Sequence, residues 1–207
     1  MLWGFIVGAS LPAATLRAWP RAASPVMVLS FEDALETAPR FCQTLQDEES
    51  PTGLENLLAT SAGARGFFVH WLTNEDYTRA DRDPAPAPLA DALQRAPTEV
   101  TDVMVMNVIM SAATTVAHDR AGRAEEAHSS GRTLARAQLL ARSLSPSTPL
   151  LRTGLAAVVS ALSEEDAGTA GDAVEKETED AWINFLQRWQ YDDEQLERVN
   201  DAVVDCL

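Results

Sequence analysis

Residues 99 to 118, "EVTDVMVMNVIMSAATTVAH", constrain the fold more than any other stretch. On a helix, at about 100° per residue, Val103, Met106, Met110, Ala113 and Ala117 line one face, and Val100, Met104, Val108 and Ser111 line another. A helix that is apolar around most of its circumference has to be wrapped by other elements. The spacing therefore predicts a central helix in an all-α fold. Methionines in such a helix fill irregular gaps in the core, and Asn107 among them needs hydrogen-bond partners where it is buried.

The rest of the chain repeats the same period. Ser30 followed by Asp33 reads as a capping-box-like start, and Phe31, Ala34, Leu35, Ala38, Phe41, Cys42 and Leu45 form one apolar stripe behind it. Pro39 lies inside that stripe and is expected to kink or split the helix. Ser50 and Pro51 read as the N-cap and first position of the next helix, with Leu54, Leu57 and Leu58 inward. "DPAPAP", residues 83 to 88, reads as a stiff linker or surface loop, followed by a short helix over "LADALQRA" that ends before a cap at Thr98. Gly122 is placed to end the central helix. A further helix runs from about Glu125 to Leu144, "SPSTP" breaks the chain, and Thr148 and Pro149 open "LLRTGLAAVVSAL". After the polar "SEEDAGTAGD", Trp182, Phe185, Leu186 and Trp189 mark one helix, and Leu196, Val199, Val203 and Cys206 mark another. No strand alternation and no fixed-period repeat interrupts the pattern. The expected architecture is all-α, a single-core bundle of seven to nine helices with the 99–118 helix at its centre.

At 207 residues the chain can bury one full core. Residues 1–26 carry Arg17 and Arg21 and no acid, whereas all 31 acids lie from Glu32 onward. This segment reads as a non-core leader: an upstream start with Met27 as the working one, or a transit-like segment, or a secretory leader that lacks the usual basic start. Residues 27–207 then form one helical domain. No segment reaches the roughly 20 apolar residues of a membrane span.

The net charge of −15 argues against nucleic acid, and likewise against anionic membrane surfaces, since phosphate contacts need a basic surface. Lys176 is the only lysine beside fifteen arginines, a bias that a GC-rich genome produces without selection and that adaptation to concentrated salt also produces. Cys42 and Cys206 lie far apart without zinc or redox spacing, which fits a reduced, intracellular protein. A cytoplasmic location is expected, or an organellar one if residues 1–26 are a transit peptide.

"GARGFFVHWLTNEDY", residues 63 to 77, is the densest cluster of chemistry-bearing residues. On a helix, Phe67, Phe68, Trp71 and Leu72 form the broad apolar face, and Gly63, Gly66, His70 and Asn74 share a narrow stripe beside it. Each glycine costs a helix about 1 kcal/mol relative to alanine, so something close must offset them. A neighbouring backbone packed against the stripe is the favoured reading; a ligand met by His70 and Asn74 is the alternative. Neither phosphate-binding glycine motif occurs in this stretch.

Other chemistry finds little material. His70, His118 and His128 contain no H-x-x-x-H, and Glu125-x-x-His128 is one E-x-x-H where a di-iron site needs two. No metal or cofactor is expected. No G-x-S-x-G elbow occurs and neither cysteine has a nucleophile's context, so no catalytic residue is assigned. Charge is the clearest asymmetry: residues 127–163 hold Arg132, Arg136, Arg142 and Arg152 and no acid, whereas residues 164–205 hold fourteen acids against three cations. Arg132 and Arg136, one turn apart, either pair with the chain's own acids or receive an anion, with Arg123 or Arg142 in support. The expected function is protein interaction or scaffolding through a helical face, with another protein or a second copy. The alternative is a small-molecule or anion-binding helical protein or enzyme using His70, Asn74 and the Arg132/Arg136 pair, with Gly63 and Gly66 beside them.

Overall fold

Val105, Val108, Ile109 and Ala112 are fully shielded from solvent, and all four belong to one helix of 23 residues. A computed structural model of the chain describes residues 29–163 and 173–207. Among these the order is α1 (Phe31–Gln46), α2 (Leu54–Leu57), α3 (Ser61–Thr73), a 3-10 turn at Thr78–Asp81, α4 (Ala87–Gln94), α5 (Thr98–Arg120), α6 (Ala124–Leu144), α7 (Pro149–Leu162), α8 (Ala173–Trp189) and α9 (Asp193–Val204). Nine α-helices and no strand occur among the described residues, and α5 is the expected central helix. It packs against α3, α6, α7 and α9, while α1 lies mainly on α3 and α8 on α7. The leader at 1–26 and the acidic stretch 164–172 lie outside the described residues.

The central helix ends as its sequence predicts. Gly122 takes φ +67, and the amides of Gly122 and Arg123 turn back to the carbonyls of Asp119 and His118, because a left-handed residue after the last turn satisfies carbonyls the helix leaves open. Asn107 answers its own demand locally, donating Nδ2–H to the Val103 carbonyl at 2.8 Å. Ser30 and Asp33 form a reciprocal capping box at the start of α1.

Five expectations need amending. Thr98 is not a cap: it is the first residue of α5, behind Pro97, and no side chain caps that end. Helix α1 runs through Pro39 without a break, for a reason that lies in α3 and is given below. Ser50 and Pro51 do not open a helix: α2 begins at Leu54 behind Gly53, whose φ of +90 turns the chain just before it. The 83–88 stretch is only partly a linker, since Ala85 and Pro86 are buried and Pro88 sits in the first turn of α4, where a missing amide hydrogen costs nothing. Finally, α5 is long and apolar enough to cross a membrane by length and composition; half of its apolar window is buried by the rest of the chain.

Candidate functional site

The glycine stripe meets backbone. A side chain begun at Gly66 would place its Cβ 2.6 Å from Ala34 Cβ and 2.9 Å from the Leu35 amide nitrogen; at Gly63 it would fall 1.8 Å from the Leu57 carbonyl oxygen. Both glycines are buried. Helix α1 and the end of α2 thus fill the groove, and the two helices α1 and α3 approach more closely than any side chain would allow. Phe67, Phe68 and Trp71 are buried on the neighbouring face, Phe67 stacked on Trp71 and Trp71 on Tyr77 with ring centroids 6.0 and 6.4 Å apart.

His70 explains why α1 tolerates its proline. In an uninterrupted helix the Leu35 carbonyl would accept from the amide of residue 39, and proline has none. The Leu35 oxygen instead lies 3.0 Å from His70 Nε2. A carbonyl only accepts, so Nε2 carries the hydrogen and donates it, which fixes the tautomer. Close approach at Gly66 brings the two helices near enough for this bond to form one turn later. His70→Ala is therefore expected to destabilise the fold by about 1–2 kcal/mol, the cost of an unmet carbonyl. In a Pro39→Ala background, where residue 39 regains its amide, the same change should cost distinctly less. Chemical denaturation of the four proteins of the cycle measures the coupling; equal losses in both backgrounds would refute this account of His70.

Asn74 ends α3. Its side-chain oxygen accepts from the Asp76 amide at 2.9 Å, an Asx turn that bends the chain into the Thr78–Asp81 turn. Arg136 reaches this bend from α6. Its side chain is 1% exposed, and its Nη1 donates to the carbonyls of Asn74 at 2.7 Å, Leu72 at 3.3 Å and Trp71 at 3.4 Å. Its Nε and Nη2 grip both oxygens of Asp81 at 2.6 and 2.9 Å. A fixed cation thus sits at the carbonyl end of α3, where the helix dipole is negative, and the guanidinium fork is fully engaged. Arg132, one turn earlier on α6, pairs with Glu75. That bond, with the charge behind it, holds the Glu75 carboxyl below its usual range.

The six candidate residues thus gather along α3 and at its end, and each is engaged inside the chain. Gly63, Gly66 and His70 join α3 to α1 and α2; Asn74, Arg132 and Arg136 lock its end to α6. The neighbouring cleft, lined by Trp71, Arg79, Arg82, Arg136, Leu139 and Leu140 among others, has no enclosed room even for a water molecule, far short of the ~300–1,000 Å³ of small-molecule pockets. His118 Nδ1 lies 3.0 Å from Ser130 Oγ, tying α5 to α6. Among the described residues no three His, Cys, Asp or Glu side chains gather as a metal site. Burial pushes the thiols of Cys42 and Cys206 up to about 12, far from the thiolate that nucleophilic chemistry needs.

Among the described residues a second aromatic cluster lies where α8 turns into α9. Trp182, Phe185, Trp189 and Tyr191 form a ladder with successive centroids 5.6, 6.3 and 6.5 Å apart. Trp182 is buried at the inner end, beside Gly154 of α7, whereas Trp189, between Phe185 and Tyr191, is 49% exposed. Of the two tryptophans on α8, only the second reaches solvent. Helix spacing groups Trp182, Phe185 and Trp189 on one face in the sequence; that the first is buried and the last exposed depends on packing against α7 and has no local signal.

A family model described as "Uncharacterised conserved protein UCP020893" matches residues 30–206. No curated protein and no solved structure matches the chain.

Proposed function

We propose, for a chain that belongs to this uncharacterised conserved family, a role as a protein-interaction module that engages its partner at the α8–α9 corner. One observation carries the reading: the aromatic ladder that starts in the core passes through a half-exposed tryptophan, Trp189, before closing on Tyr191. Indole is among the side chains that contribute most to binding when a partner excludes water from it, and leaving it in solvent forfeits apolar burial on the order of a few kcal/mol. The base of the ladder gives it a rigid mount, because Trp182 and Leu186 are buried among α7 and the core. The stripe on α3 and the α6 pair Arg132 and Arg136 support a ligand-binding reading less well, since their polar groups are already met within the chain.

Trp189→Ser tests the reading. With its side chain half in solvent, the variant is expected to keep its helical circular dichroism and to lose no more than about 1 kcal/mol of stability. Association should fall at least about thirtyfold, the loss expected of an anchor residue. Light scattering after size exclusion reads self-association, and capture from a source lysate by wild-type and Trp189→Ser baits reads other partners, with Val69→Ser, an exposed apolar change on α3, as control. A strict monomer whose captured proteins are the same with all three baits would count against the proposal.

A further inference from the structure

We infer that the α8–α9 corner recognises an arginine-bearing, cationic segment of a partner protein, and this rests on the interaction reading above. The first ground is the shape of the aromatic surface. Tyr191 is stacked on one side of the Trp189 indole, within 8° of parallel and with centroids 6.5 Å apart, and the remaining aromatic surface of Trp189, which is 49% exposed, is open to solvent. A planar guanidinium stacks on such faces, where the ring's negative quadrupole meets its charge. Arg40 of α1 already does this within the chain, 4.7 Å from the centroid of Phe41.

The second ground is charge. Between Trp189 and Glu197 the chain carries four carboxylates, Asp192, Asp193, Glu194 and Glu197, and no cation. The corner also holds a guanidinium of its own. Arg120, at the end of α5, is forked between Asp192 and Glu194, with Nη2 2.9 Å from Asp192 Oδ1 and Nε 2.8 Å from Glu194 Oε2. Those bonds hold the Asp192 carboxyl below its usual range. Asp193 and Glu197 remain exposed and enter no ion pair among the described residues. They stand one turn apart on the outward face of α9, and Val204 lies further along the same face. Stacking surface and free carboxylates thus follow each other within a few residues.

The same charges make other occupants poorer. A phosphate-bearing partner would be repelled. Two copies meeting by this face across a twofold axis would bring acid against acid. Lysine could pair with the carboxylates, but its compact ammonium does not offer the planar stack that guanidinium does. Arg188 and Arg198 flank the corner and oppose a cation there, so the attraction is local to the acid-only run.

The test uses the full chain and three short fluorescein-labelled peptides, in which glycine alternates with arginine, lysine or glutamate, read by fluorescence anisotropy at low salt. The arginine peptide should bind saturably with one site, the lysine peptide about threefold more weakly and the glutamate peptide not at all. Trp189→Ser should weaken the arginine peptide about fivefold or more, and Asp193→Asn with Glu197→Gln should weaken it about threefold and flatten its salt dependence. Arg188→Gln should tighten it. Arginine-peptide binding that ignores Trp189→Ser would show diffuse attraction to an acidic surface and overturn the inference. Self-association or partner capture that needs Trp189 but is not competed by the arginine peptide would overturn it too, while leaving the interaction reading in place. Trp189-independent behaviour in every assay would remove both.

Discussion

Replacing Arg136 with alanine is expected to lower the unfolding free energy by about 3 kcal/mol, since a buried cation is lost together with several hydrogen bonds of the charged kind that contribute ~1.5–3 kcal/mol each. The loss is large because the guanidinium serves five acceptors at once. Removing it leaves the carbonyls of Trp71, Leu72 and Asn74 without their side-chain donor at the end of α3 and strips Asp81 of both its bonds. Arg136→Lys should recover only a minor part, since one ammonium cannot bridge a carboxylate and three carbonyls. Asp81→Asn should cost less than Arg136→Ala, about 1–2 kcal/mol, because the Asp81 side chain is 43% exposed and the arginine would keep its carbonyl contacts. Urea titration of the three variants measures the order. An Arg136→Ala protein within about 1 kcal/mol of wild type would show that this clamp is dispensable.

The same clamp predicts an acid response of fixed sign. The bonds from Arg136 hold the Asp81 carboxyl below its ordinary range, and the arginine's charge adds to them against the opposing effect of burial. A carboxylate depressed in the folded state contributes stability that is complete above its unfolded value of ~3.9 and disappears as pH falls through the folded one. The stability gap between wild type and Arg136→Ala should therefore narrow in acid. Glu75 and Asp192 are shifted the same way by Arg132 and Arg120, but both are well exposed and contribute little to the gap.

Helices in this chain could be read from local pattern because each one's apolar face repeats within its own residues. The central position of α5 followed from an apolar circumference, and the ends of α1 and α5 followed from Ser30, Asp33 and Gly122, whose partners lie three or four residues away. Misreadings arose where a distant element decides. Pro39 looked like a break because the donor that rescues Leu35 sits 35 residues on, at His70. Ser50 and Pro51 looked like a helix start because the turn imposed by Gly53 is a conformational choice that neighbouring residues do not force.

The candidate site shows the same division more sharply. Gly63, Gly66, His70 and Asn74 were legible as one stripe, and Arg132 with Arg136 as one face, but nothing local reveals that Asp81, 55 residues before Arg136, completes the clamp. Pairing partners among 31 acids cannot be chosen by composition. Trp189 was legible as aromatic and helical; that it emerges into solvent while Trp182 does not depends on how α8 lies on α7.

Two glycine substitutions of opposite sign would isolate what holds α1 against α3. In an unconstrained helix Gly→Ala stabilises by up to about 1 kcal/mol, and Gly131 on α6, with open space where a Cβ would go, is expected to show that gain. Gly66→Ala is expected to do the reverse, with a net loss of about 1 kcal/mol. Its methyl group would lie 2.8 Å from the Ala34 carbonyl carbon and 2.9 Å from the Leu35 nitrogen. These are backbone atoms with no rotamer to yield, so the helices must separate, and overpacking of this kind costs roughly 1–3 kcal/mol even before the propensity gain is set against it. Separation would also lengthen the 3.0 Å bond from His70 to Leu35, so Gly66→Ala and His70→Ala should be less than additive. Thermal and urea unfolding of the Gly66→Ala and Gly131→Ala proteins decide the matter: two gains of equal size would mean that α1 and α3 are not held at backbone contact.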